Sequence, residues 1–179
     1  MRGVNAVLLI ILFSPAVVAG HHWNVVLPGG NMRFQGEIIA ESCRVEAADQ
    51  HMTVLMGQMP DNRLQGIGSD AGAVPFVIHL LDCNPTVRER VGVAFQGVAD
   101  SANPDVLAIA DGPQAARGVG VALFNAENRL IALNREPQTW ARLSPGSVDL
   151  HFVAKYRATR HEISGGVANA QAWFSLTYP

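Results

Sequence analysis

The stretch from 165 to 179 constrains this chain most. Ala170, Ala172, Phe174, Leu176 and Tyr178 are apolar, and Gln171, Trp173, Ser175 and Thr177 fill the alternate positions. A period of two over nine residues predicts a β-strand with one buried face. A strand that ends a chain tends to lie at a sheet edge, and an exposed apolar edge invites pairing unless a charge, proline or bulge blunts it. The interior of this strand carries no charge, so something is expected to lie beside it. An inner strand of a closed sandwich would show the same alternation.

The rest of the chain repeats the signal in shorter pieces. Phe34 to Ala40 and Cys43 to Val45 have β-like composition, and Met52, Val54 and Met56 alternate with Thr53 and Leu55. Residues 57–74 are polar, with Pro60, Gly66, Gly68 and Gly72, and read as a loop. Phe76 to Leu81 is apolar on both phases apart from His79, so it reads as a buried strand leading to Cys83, with His79 as a hydrogen-bonded core residue. Val91, Val93 and Phe95 form one face, and Val119, Val121 and Leu123 another. Leu130 to Leu133 reads as a short strand after a turn at Asn125–Asn128. Val148, Leu150, Phe152, Ala154 and Tyr156 form a clean face, with Asp149, His151, Lys155 and Arg157 opposite. About seven or eight short strands with turns between them and little helix predict an all-β sandwich.

Residues 1–19 are expected not to belong to it. Arg2 precedes an apolar run from Val7 to Phe13, Ser14-Pro15 breaks the run, and Val17 and Ala19 occupy the −3 and −1 positions of a small-residue cleavage site. This order is that of a secretory signal peptide. The two cysteines, Cys43 and Cys83, are then expected to form a disulfide, as paired cysteines do in exported proteins. Gly20 to Met32 shows no helical period, and Pro28 and Gly29-Gly30 would spoil a central strand. On its own it reads as a tail with a short apolar patch.

The chemistry-bearing residues form no convincing constellation. Gly66-Ile67-Gly68-Ser69-Asp70-Ala71 fits a dinucleotide fingerprint as a string, but no strand precedes it and no helix follows to cradle a pyrophosphate. The six histidines are scattered without zinc spacing. Cleavage after Ala19 would expose Gly20-His21-His22, whose amine, amides and third-position imidazole suit square-planar Cu(II) or Ni(II); the other reading is a solvated tail. No catalytic residue, metal ligand or cofactor is assigned. A net charge of −2 gives no argument for nucleic acid.

Taken together, these residues resemble a pilus subunit of the chaperone–usher type, over the whole mature chain. The resemblance rests on the short extension before the first strand, the pair Cys43 and Cys83, the β-rich body, and above all the C-terminal strand. The family has a glycine fourteenth from the C-terminus and a penultimate aromatic, here Gly166 and Tyr178. The stretches Leu27-Pro28-Gly29-Gly30-Asn31-Met32, Arg90-Val91-Gly92-Val93-Ala94-Phe95, Lys155-Tyr156-Arg157-Ala158-Thr159 and 169–178 look closest to a minor subunit of type 1 fimbriae.

The resemblance implies an incomplete immunoglobulin-like β-sandwich that lacks its final strand and is completed by donor strand complementation. It divides the chain into a signal peptide (1–19), a donor-strand extension (20–32) and a pilin domain (33–179). The implied partners are a periplasmic pilus chaperone, an outer-membrane usher and neighbouring fimbrial subunits. The implied route is export to the periplasm and then into a fimbrium on the cell surface. Gly166, Ala170, Ala172, Phe174, Leu176 and Tyr178 would belong to the groove that meets the chaperone or donor. Val26, Pro28, Gly30 and Met32 would form the donor face, with Val25, Leu27 and Gly29 as the competing register. Pro28 departs from an ideal donor strand because it has no N–H. A secreted β-sandwich that binds a ligand or carbohydrate is the competing reading, and the two part on whether the sandwich lacks a strand.

Overall fold

The structure is a computed structural model. The chain divides into two compact units, Met1–Glu37 and Ile38–Pro179. The structure describes Arg33 and residues 42–179, and the fold is that of the second unit. The expected signal peptide, the expected donor extension and the β-like piece at Phe34 to Ala40 lie outside the described residues.

Among the described residues eight strands run in chain order: β1 (Arg44–Val45), β2 (Asp70–Cys83), β3 (Arg90–Gly97), β4 (Leu107–Ala108), β5 (Val119–Asn125), β6 (Trp140–Arg142), β7 (Gly146–Ala158) and β8 (Ala172–Thr177). They form a five-stranded sheet, β1-β2-β7-β5-β4, and a three-stranded sheet, β6-β3-β8. All pairings between these strands are antiparallel. Helical structure among the described residues is limited to two short 3₁₀ turns, Ala47–His51 and Asp61–Arg63.

The core lies between the sheets because alternation aims one face of each strand inward. In β7, Leu150, Phe152, Ala154, Tyr156 and Ala158 are buried in strict alternation. Three aromatic rings join the layers. Phe95 of β3 meets Phe152 of β7 edge-on at 5.1 Å between centroids, and Phe76 of β2 lies 5.5 Å from Phe152 and 6.3 Å from Phe95. β5 is buried along its whole length. Val119, Val121 and Leu123 enter the inter-sheet core, while Ala122 and Phe124 pack with Val106 in a second, smaller cluster.

Cys43 and Cys83 are bonded, and both are buried. The bond ties the residue before β1 to the end of β2 across a sequence separation of 40. For a loop of that size the chain-entropy model gives about 4 kcal/mol of stabilisation.

Several expectations change in the structure. β2 starts at Asp70 and not near Phe76. The residues before Pro75 are drawn into the ladder with β7, where Asp70 takes a two-point ion pair from Arg157 (Nε–Oδ1 2.6 Å, Nη2–Oδ2 2.7 Å). A register shift between Ala71 and Val74, with Gly72 at φ +68°, absorbs the irregularity. Pro75 is tolerated because β1 pairs only with Leu80 and Leu81, so β7 alone flanks it.

Leu130 to Leu133 is not a strand. After one bridge, Phe124 to Leu130, the chain leaves β5; Leu133 drops into the core, and Asn134 exchanges hydrogen bonds with Gly97 at the end of β3 (3.0 and 3.1 Å). The segment is the crossing from one sheet to the other. The stretch 137–146, read as a connection, carries β6 at Trp140–Arg142. The glycine string Gly66–Ala71 runs directly into β2, with Gly68 N–H donating to the Ala158 carbonyl at 2.8 Å.

A further change concerns His79. Its side chain is 41% exposed rather than part of the core. The ring is nonetheless held: Nδ1 lies 2.8 Å from Oδ2 of the buried Asp49, which also accepts the His79 backbone N–H at 2.6 Å. This pins the Ala47–His51 turn to β2. The Asp49 hydrogen bond raises the His79 pKa above 6.5 against partial desolvation, with the charges of Asp49, Asp149 and Glu46 adding to the rise. A group whose pKa is raised on folding contributes stability that is complete below its unfolded value and is lost as pH climbs through the folded value. The stability advantage of the wild type over His79→Asn should therefore be greatest below pH 6.5 and shrink above it, as read by urea denaturation across pH. A pH-independent difference would refute the ion pair.

Candidate functional site

β8 pairs with β3 on one side, from Gly92↔Thr177 to Gly97↔Ala172. Its other edge has no strand partner among the described residues. Across from this edge runs the segment Met52–Gly57. Met52, Val54 and Met56 are half-buried and pack on the core, while Thr53 and Leu55 point outward, Leu55 being 81% exposed. This is the alternation read in the sequence as a strand, yet the segment belongs to no ladder among the described residues. Among the described residues it is an extended wall without a strand partner.

Between the two walls lies a cleft of about 1000 Å³. Core side chains from both sheets form its floor, among them Phe76, Ile78, Phe95, Val121, Leu123 and Tyr156. No lining residue carries a charge; Thr53, Asn169, Gln171 and Tyr156 are the polar ones. Burial pushes the Tyr156 hydroxyl pKa up, so that group stays neutral as well. An uncharged floor bounded by two unpaired extended edges suits one kind of ligand, another extended strand. Its N–H and C=O groups would meet the edges, and alternate side chains would settle on the floor.

Ala170, Ala172 and Phe174 line this cleft. Leu176 and Tyr178, farther along the same phase, pack against the main core, as does Phe174. Gly166 lies before β8, outside the cleft lining. There the chain runs beside residues 114–117, with Ala116 N–H on the Val167 carbonyl at 2.9 Å and Val167 N–H on the Gln114 carbonyl at 2.7 Å. A Cβ at Gly166 would come within 2.5–2.7 Å of Gln114 O, Ala116 N and Ala115 C, so only glycine permits this approach. The expected donor residues Val26, Pro28, Gly30 and Met32, and Gly20-His21-His22, lie outside the described residues. The second wall and the floor were not read from the sequence as parts of a site. The alternation at Met52–Met56 was the available signal, but alternation does not reveal a missing neighbour.

The family model for fimbrial proteins matches residues 32–179. The chain belongs to the fimbrial protein family. A putative fimbrin-like protein FimI from Salmonella typhi is 33% identical over 180 residues, spanning 100% of this chain and 99% of that protein. The type 1 fimbrial subunit of Salmonella typhimurium is 33% identical over 174 residues, spanning 94% and 93% of the two chains. Among solved structures, the P pilus rod subunit PapA superposes with a TM-score of 0.65, at 21% identity, over 78% of this chain and 100% of that one. This fimbrial protein is thus a subunit of chaperone–usher pili, exported and built with neighbouring subunits into a surface fibre. Its sandwich is immunoglobulin-like, and among the described residues it is short of a strand at the outer edge of β8.

The two phases of β8 should respond differently to charge. Phe174→Asp would place an unpaired carboxylate against the core, at a cost of several kcal/mol. Ser175 is exposed on the opposite phase, so Ser175→Asp should be tolerated. Co-purification with the cognate chaperone should fail for Phe174→Asp and match wild type for Ser175→Asp; the reverse result would invert the phase.

Proposed function

We propose that this fimbrial protein is a minor structural subunit of a type 1 fimbria, assembled by donor-strand exchange, that terminates or anchors the rod and so contributes to cell adhesion. The reading is non-enzymatic and calls for no cofactor. The observation that carries it is the uncharged cleft between the free edge of β8 and the unpaired wall Met52–Gly57. The fimbrial part of the reading takes its support from the fimbrin-like protein of Salmonella typhi, which matches over 100% of this chain, and the minor, terminating role is a step beyond that likeness.

Residues 1–19 act as the signal peptide, 20–32 as the donor extension and 33–179 as the pilin domain. Ala170, Ala172, Phe174, Leu176 and Tyr178 form the strand beside which the chaperone and then a donor strand lie, and Gly166 sets its approach. Val26, Pro28, Gly30 and Met32 face the floor of a neighbouring subunit's cleft. Because such a contact is head-to-tail and does not close, it propagates as a filament.

A synthetic peptide spanning residues 20–32 tests donation. Added to the purified mature chain, it should raise the melting temperature, and at a hundredfold excess over Kd the linkage amounts to about 2.7 kcal/mol. The same peptide with Val26→Asp should fail, while Val25→Asp should retain activity. The opposite pattern selects the competing register, and no shift with any peptide rejects donation. Rod length tests termination separately: raising expression of this subunit should shorten the fibres, and an unchanged length distribution would reject that role.

A further inference from the structure

A second cleft, of about 680 Å³, adjoins the first; Ala110, Ala170, Gln171 and Trp173 line both. The two differ in chemistry. The backbone around the second is already paired: Ala108 N–H donates to the Val98 carbonyl at 2.8 Å, Asp100 N–H to Val106 at 2.7 Å, and Arg117 N–H to Ser164 at 3.1 Å. Strand addition has no ladder to join there, so any ligand must be read by side chains.

The side chains present are an aromatic ring and planar polar groups. Trp173 stands on the outward phase of β8 and is 59% exposed. An indole left that open gains little from folding. Around it lie Asp100, Asp111, Arg117, Arg160 and Gln171. Two of these are engaged: Asp100 Oδ1 accepts from Ala102 N–H and Asn103 N–H, and Arg160 Nη2 donates to Ser101 Oγ at 2.6 Å. Asp111, Arg117 and Gln171 have no side-chain partner among the described residues. Much of the remaining wall is alanine and glycine, which leaves width for a ring.

We propose that this cleft binds a neutral saccharide ring. Two guanidinium groups and two carboxylates line it, so the site has no net charge to select an ionic ligand. Its wall is too polar for a purely apolar ligand, since each unpaired group would be desolvated without return. A sugar ring answers both halves: its C–H face covers the indole, and its hydroxyls donate to Asp111 and accept from Arg117 and the Gln171 amide. A few converging polar groups around one aromatic surface are the usual makeup of a small-molecule site. The site is that of the domain without its donor strand, because Ala110, Ala170, Gln171 and Trp173 also border the first cleft, and a strand lying there would bear on the same ring.

Saturation-transfer NMR on the purified mature chain tests it, with the methyl glycosides of glucose, galactose, mannose and N-acetylglucosamine as probes. At least one should show transfer to its ring protons. Trp173→Ala should weaken that affinity roughly tenfold. Asp111→Asn should weaken it as well, and Trp140→Ala, at the other exposed tryptophan, should leave it unchanged. No transfer from any glycoside would overturn the proposal. So would equal loss from Trp140→Ala and Trp173→Ala, or a wild type that shows no transfer yet needs Trp173 for contact between subunits.

Discussion

A β-strand can satisfy its backbone only through neighbours, and among the described residues β8 has a neighbour on one side alone. Its other edge faces an uncharged cleft whose floor is the hydrophobic core itself. Unpaired N–H and C=O groups beside apolar surface are costly, and the exposed floor adds the unfavourable free energy of apolar hydration. One event relieves both: insertion of an extended segment. The functional state of the domain is therefore incomplete by itself, which is the property a fibre subunit needs.

An incomplete sandwich must hold the missing strand's place open, and the remaining structure does so. The Phe76–Phe95–Phe152 cluster fixes the two sheets against one another. The Cys43–Cys83 bond holds the start of the chain that leads to the Met52–Gly57 wall. The Asp49–His79 pair ties the turn before that wall to β2. Gly166 lets the chain close on residues 114–116 before it enters β8. Each contact positions a wall or the floor, and none fills the space between them.

The same strand separates two kinds of recognition. Its inward phase offers Phe174 and Leu176 to the core, while its outward phase carries Trp173, Ser175 and Thr177 into solvent. A period of two aims alternate residues to opposite faces, although Gln171 and Trp173 at the start of the strand border both clefts.

The sequence by itself determined the all-β class, the disulfide and the inward phase of the major strands, because alternation and paired cysteines in an exported chain are local statements. The Phe152 and Leu176 faces were legible for that reason. Tertiary structure decided what local pattern cannot encode. It turned Leu130 to Leu133 into a crossing between sheets and drew Asp70 into β2 through Arg157. It also left His79 half in solvent on Asp49. Above all it decided that Met52–Met56 and β8, similar to any other strands in sequence, stand apart with no described strand between them. Periodicity reports which side of a strand is buried; only the arrangement of strands in space reports which edge is unpaired.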